Sequence, residues 1–257
     1  MRPPSRPATW RATGKEIMST LKGKTAVVTG GSRGIGLAIA HALAYRGANV
    51  VITGTTEKSL AGAAHELESA ARGGSVMAQA ADVRKYADVE RMLNAAASRF
   101  GGIDVLVNNA GVGVFTSVAN MSVEQWHDVI DTNLTGAFYC CHAALPHLRA
   151  RGGGWIINIS SLAGKNQFVD GAAYCASKSG LNAFSESLMQ EVRHDGIRVA
   201  YVMPGSVNTG FAGHPSGEDW KLAPEDVAEV VTDLIAHPSR SLPSRVEIRP
   251  ARPPKKG

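Results

Sequence analysis

From residue 24 to residue 248 short apolar runs alternate with longer amphipathic stretches. The runs are 24–30 (KTAVVTG), 49–54 (NVVITG), 75–80 (SVMAQA), 104–109 (DVLVNN), 155–160 (WIINIS), 197–203 (IRVAYVM) and 245–248 (RVEI). They lack the strict in–out alternation of a strand with one wet face, the pattern expected of parallel strands buried on both sides. The stretches between them, at 34–46, 57–72, 85–99, 122–150, 173–194 and 224–236, are long enough for helices. The 122–150 stretch predicts two helices meeting near Thr132–Asn133. Pro224-Glu225-Asp226 reads as a helix start, with Pro at the first helical position and acids in the first turn. Repeated β–α units of this kind predict an α/β fold: one doubly wound parallel sheet of about seven strands, with helices on both faces.

The pattern runs through residues 22–249 without an internal repeat or linker, so these residues read as one domain. Its one long irregular connection is 205–223 (GSVNTGFAGHPSGEDWKLA), which has the character of a substrate loop or lid. Residues 1–21 read as a disordered extension, with Met18 a candidate start, and 250–257 as a basic tail. The net charge of +5 suggests nucleic acid until it is located. Residues 1–17 and 250–257 each carry +3, which leaves −1 on the body and no basic face for a nucleic acid. No apolar run approaches the roughly 18 residues of a membrane span. Cys140, Cys141 and Cys175 form an odd set without C-x-x-C spacing, which fits reduced thiols in the cytoplasm better than disulfides or zinc.

Candidate chemistry lies in two places. Tyr174 and Lys178 stand four residues apart in AAYCASKSG, thirteen residues after Ser161 in WIINISS. Positions i and i+4 share a helix face, so the ammonium of Lys178 is placed to favour the phenolate of Tyr174. A free phenol, with a pKa of about 10, is a poor acid or base near neutral pH without such a cation. The second place follows the first strand, where Gly30-Gly31-Ser32-Arg33-Gly34-Ile35-Gly36 leads into a helix. Glycines there let the backbone turn sharply and approach a pyrophosphate, whose charge sits against helix-terminal N–H groups. This makes the predicted sheet a Rossmann-type, dinucleotide-binding one. The eight histidines show no metal-ligand spacing such as H-x-x-x-H, so no metal is expected.

The spacing G-x-x-x-G-x-G after Thr29, Asn108-Asn109-Ala110-Gly111, Asn133 in DTNLTG, the set Ser161, Tyr174 and Lys178, and Pro204-Gly205-Ser206-Val207-Asn208-Thr209 occur in one order over 22–249. In that order and spacing the chain resembles the short-chain dehydrogenase/reductase family. The resemblance implies that Tyr174 donates a proton to a carbonyl oxygen while hydride arrives at its carbon from a nicotinamide. It also implies that Lys178 depresses the Tyr174 pKa and bonds the nicotinamide ribose, and that Ser161, rather than Ser160, holds the substrate oxygen. Asn133 resembles the residue that positions a water linking Lys178 to solvent. For the cofactor it implies contacts from the Gly-rich loop, Gly30, Ser32, Arg33, Gly34, Ile35 and Gly36. Further contacts fall to Thr55, to Asp82 and Val83 on the adenine side, and to Asn109, Ala110 and Gly111. Pro204, Gly205, Val207 and Thr209 resemble the segment that holds the nicotinamide carboxamide. The family also implies a homodimer or homotetramer, built on helices 133–150 and 173–194.

Cofactor choice turns on the end of the second strand, where NAD readers place a carboxylate on the ribose 2′-OH. Here it reads Thr53-Gly54-Thr55-Thr56, with no carboxylate before Glu57, and Arg33 stands ready as a cation. NADP is therefore favoured over NAD. Within the family the chain is most similar to 3-oxoacyl-[acyl-carrier-protein] reductases, in TGGSRGIG, NNAG and DTNLTGAF. Its ending, LPSRVEIRPARPPKKG, departs from their glycine-rich finish. An acidic acyl carrier needs a basic mouth. Arg149, Arg151 and Arg193 either supply it or are ordinary surface arginines. The expected activity is NADPH-dependent reduction of a ketone to a secondary alcohol. The alternatives are an NAD(P)-dependent dehydrogenase of a sugar alcohol, steroid or other secondary alcohol, and a catalytically idle dinucleotide sensor or scaffold.

Overall fold

The computed structural model describes residues 21–213 and 217–254. The extension over 1–20, the three residues 214–216 of the long connection and the last residues of the basic tail lie outside them. Seven strands form one parallel sheet: β1 (Thr25–Val28), β2 (Asn49–Gly54), β3 (Val76–Ala80), β4 (Val105–Asn108), β5 (Gly154–Ile159), β6 (Ile197–Pro204) and β7 (Arg245–Ile248). Their order across the sheet is β3-β2-β1-β4-β5-β6-β7. Register is set at the centre by Val28, which lies between Ile52 of β2 and Val107 of β4.

Successive strand residues point to opposite faces, and both faces here are dry. Val28, Ile52, Val107 and Ile157 pack into one core with α1 (Gly34–Tyr45), α2 (Glu57–Ala70) and α7 (Pro224–Ala236). Val27, Val51, Leu106 and Ile156 pack into the other, with α3 (Tyr86–Phe100), α5 (Gly136–Ala150) and α6 (Ala172–Val192). That is why the strands read as unbroken apolar runs. The predicted strands and helices all occur, with ends shifted by a residue or two.

The 122–150 stretch forms the two helices expected, meeting at Thr132–Asn133 through a π-helical turn. α4 (Val123–Ile130) begins at a capping box of Ser122 and Gln125 and does not stop at Asn133. It widens into a π-helical turn, Asp131–Thr135, and continues as α5, with the Gly136 N–H reaching back to the Asp131 carbonyl. Such turns disturb the regular hydrogen-bond ladder without breaking the rod. The order in which strands are added reverses between β1 and β4, and doubly wound sheets bind ligands at the carboxyl ends of strands at such a switch point. The Gly-rich loop, Asn109–Gly111, Ser161 and the 205–209 segment follow β1, β4, β5 and β6 and therefore gather at that rim.

Candidate active site

Ser161 leaves the end of β5 while Tyr174 and Lys178 rise from the first turns of α6. The Lys178 ammonium is buried and donates to the Ile159 carbonyl at 2.9 Å, 5.8 Å from the centre of the Tyr174 ring. Burial pulls its pKa from 10.5 down to about 8. For Tyr174 burial also dominates and raises the phenol above its ordinary value, with a hydrogen bond to Ser161 pulling the other way. The depression of the phenol by Lys178 that the spacing suggested does not set the direction here; burial does. Ser160 is buried and donates to Asn182, whereas Ser161 lies at the phenol and accepts from the Ala163 N–H.

Asn133 sits inside the π turn, almost wholly buried. Its amide donates to the Val112 carbonyl (2.9 Å) and the Ser177 hydroxyl (3.0 Å), and its oxygen accepts from the Val112 N–H (2.8 Å). The side chain thus ties the loop after β4 to α6. Ser177, three residues after Tyr174, was not singled out in the sequence. Its pairing with Asn133 crosses 44 residues and leaves no local signal.

At the Gly-rich loop, a Cβ on Gly36 would collide with the Gly30 carbonyl and the Asn109 amide, so only glycine lets α1 begin this close to β4. Gly34 has φ +56°, and its bare Cα faces the Thr209 methyl, which a Cβ would meet at 3.3 Å. Thr209 thereby comes against the loop, although its hydroxyl also accepts from the Phe211 N–H. Arg33 is the extended residue before α1 and is exposed; it makes no side-chain cap, and no acid stands in the first turn. The first N–H groups of α1 are left to an anion. Asn109 donates to the Thr29 and Gly30 carbonyls, and Thr29 accepts from the N–H groups of Asn109 and Ala110, which stitches the loop to β4.

The other candidate residues are more committed. Thr55 is exposed at the end of β2, while Thr56 caps α2 through the Ser59 N–H. Asp82 holds Arg84 with both carboxylate oxygens, which lowers its pKa, and Arg84 reaches on to Asp128 of α4. Val83 is buried against Gly136. Gly205 donates its N–H to Ile248, and Val207 is bridged to Leu222. Arg149 pairs with Asp195 and Arg151 with Asp104, all at the amino ends of the strands. Arg193 ends α6 roughly 28 Å along the helix from Tyr174, so none of the three lines the mouth of its own subunit's site. A groove of about 600 Å³ between Trp220, α7 and Arg249–Arg252 holds none of Ser161, Tyr174 and Lys178. Among the described residues, no helix is long and apolar enough to cross a membrane.

Comparison with known proteins agrees with this geometry. Residues 24–218 match the short chain dehydrogenase family. An uncharacterised oxidoreductase of Staphylococcus epidermidis is 36% identical over 234 residues, covering 91% of this chain and all of that one. Among solved structures, an alcohol dehydrogenase of the archaeon Thermococcus sibiricus, complexed with 5-hydroxy-NADP, superposes with a TM-score of 0.83 at 32% identity. That match covers 91% of this chain and 99% of the other. A metagenomic short-chain oxidoreductase in complex with NADP gives a TM-score of 0.80 at 39% identity, covering 90% and 99%. The chain belongs to the short-chain dehydrogenase family. It is an NAD(P)-dependent oxidoreductase.

Proposed function

We propose that the protein reduces a ketone to a secondary alcohol with NADPH, reversibly, and that Ser161, Tyr174, Lys178 and Asn133 carry the reaction. The observation that supports this most is the convergence of a Ser161-bonded phenol and a buried lysine beside a glycine cradle at one rim of the sheet. When bound, the cofactor supplies hydride to the carbonyl carbon. Ser161 holds the carbonyl oxygen, and Tyr174 gives it the proton that hydride addition requires. The ammonium of Lys178 steadies the phenolate left behind. A water positioned by Asn133 returns the proton from solvent through Lys178. A catalytically idle sensor has no need of this acid.

The residues fit a dinucleotide: an uncapped α1 N-terminus, and glycines whose missing Cβ atoms keep the cradle open. NADP over NAD is supported by the absence of a carboxylate from Thr53 to Thr56 and by exposed Arg33. It is also supported by the NADP-type cofactors bound in two similar structures. Asp82 enters as a positioning acid whose carboxylate Arg84 already holds. Exposed Val123 and Trp126 on α4 and Phe138 on α5 support a homodimer or homotetramer. Against an acyl-carrier-linked substrate stand the three arginines at the far rim, which only a partner subunit lying antiparallel would bring to a site. A panel of ketones and alcohols with NADPH and NADP, followed at the nicotinamide absorbance, tests the reading. Turnover of a ketone with NADPH is expected. Absence of turnover with every carbonyl, while NADPH still binds, would leave the sensor.

A further inference from the structure

Phenylalanines from three separate loops cluster at the phenol, two of them against its ring and the third against one of those two. The Phe115 ring stands edge-on to Tyr174 at 5.6 Å between centres, Phe168 stands edge-on to Phe115 at 5.7 Å, and Phe211 tilts against Tyr174 at 5.7 Å. Gly113 makes room for two of them, since a Cβ there would lie 2.8 Å from Phe211 and 3.1 Å from Phe115. The first two loops are stapled by the Thr116 N–H on the Asp170 carbonyl at 2.9 Å, with Asp170 held in the left-handed region at φ 64°. Non-glycine residues adopt that conformation rarely, and such strain persists where the surroundings impose it. Phe168 is 48% exposed and Val169 88%, so apolar surface stands open beside the acid.

The charge count of the lip is as telling as its rings. Segments 112–116 and 209–213 carry no charge at all, and in 166–171 the single charge is the carboxylate of Asp170. Lys165, just before that segment, is paired with Glu247. An anionic substrate would lose its hydration against these segments, whose residues offer it no cation. An aromatic flank would instead bury roughly 150–250 Å² and meet rings in the edge-on and offset geometries that aromatic pairs prefer.

Resting on the ketone-reductase reading, we infer that the substrate is an uncharged ketone with an aromatic or alicyclic flank, and that Phe115, Phe168 and Phe211 determine this choice. The test compares 1-indanone, butanone and a 3-oxoacyl thioester of a phosphopantetheine mimic in kcat/KM with NADPH, for the wild type and Phe168→Ala, Phe168→Leu and Phe168→Trp. The wild type is expected to favour 1-indanone over each of the others by on the order of a hundredfold, in line with the cost of emptying an apolar site of a large group. Phe168→Ala should lose at least tenfold more on 1-indanone than on butanone, chiefly through KM, because uniform binding is lost. Phe168→Trp should keep the preference and Phe168→Leu should fall between. Equal kcat/KM for indanone and butanone, an equal loss on both, or a preference for the thioester would overturn the inference while leaving a working reductase. Binding of 1-indanone by calorimetry, weakened in Phe168→Ala, separates the two claims. If binding weakens in that way but no ketone is turned over, the aromatic site stands and the reductase reading falls.

Discussion

Replacing Gly54 by Asp puts the cofactor assignment under the sharpest test. Gly54 ends β2, directly before Thr55 and the capped start of α2. A Cβ at this position would meet Leu60 and Ser59 at 3.4 Å, ordinary van der Waals contact, so the fold should accept the change without rearrangement. The new carboxylate would stand where a ribose 2′-phosphate is proposed to lie. A charge of about −2 at roughly 5 Å from −1 costs about 1.7 kcal/mol even at the dielectric of water, and about twice that at half the dielectric. NADH meets no such repulsion, and its 2′-OH gains an acceptor contributing about 0.5–1.5 kcal/mol. At about 1.4 kcal/mol per decade the ratio of NADPH to NADH affinity should fall by roughly 30-fold or more. Removing Arg33 should act in the same direction. A charge-assisted hydrogen bond contributes about 1.5–3 kcal/mol, but Arg33 is exposed and partly screened, so a loss of about tenfold in NADPH affinity is expected. Fluorescence titration with both cofactors at about 0.05 and 0.5 M salt measures the shifts, which should shrink at the higher salt. Equal shifts for NADH and NADPH in both variants would refute the 2′-phosphate site.

Two further outcomes are expected. The folded pKa of Lys178, about 8, lies below the ordinary 10.5, so the unfolded chain binds more protons between those values and wild-type stability gains there as pH rises. Lys178→Met removes that gain. Its stability relative to wild type, from urea unfolding, should therefore be up to about 3 kcal/mol more favourable at pH 7 than at pH 10.5; a pH-independent difference would contradict the buried ammonium. Phe138, Trp126 and Val123 leave apolar surface open on the α4–α5 face. The wild type should scatter light as a dimer or tetramer at micromolar concentration and Phe138→Glu as a monomer, whereas a monomeric wild type would remove the proposed interface.

The sheet was legible because its central strands are buried on two faces and helical stretches separate the strands, so apolar runs and helical patterns alternate along the chain. Ser161, Tyr174 and Lys178 were legible because their spacing is local to one β–α unit. Two helices were expected to meet near Thr132–Asn133, and they do; that they join through a π turn with Asn133 inside it depends on contacts to Val112 and Ser177 that no local pattern announces. What charge and spacing alone did not convey is the burial of Tyr174, which raises the phenol while the hydrogen bond to Ser161 opposes it. Asp82 gave no sign that Arg84, two residues on, would occupy its carboxylate. The aromatic lip was beyond reach, since Phe115, Phe168 and Phe211 lie on three loops with no shared period and meet only when the sheet brings their loops to one rim.

The central claim, that Tyr174 is the proton donor to a ketone reduced by NADPH, is tested most directly by Tyr174→Phe. The measurement is NADPH oxidation in the presence of a ketone that the wild type turns over, with NADPH affinity determined on the same sample. Loss of all but about a thousandth of kcat, with the NADPH dissociation constant within about threefold of wild type, is the expected result, in keeping with the usual contribution of a positioned acid. A variant that keeps more than a tenth of wild-type kcat would contradict the account.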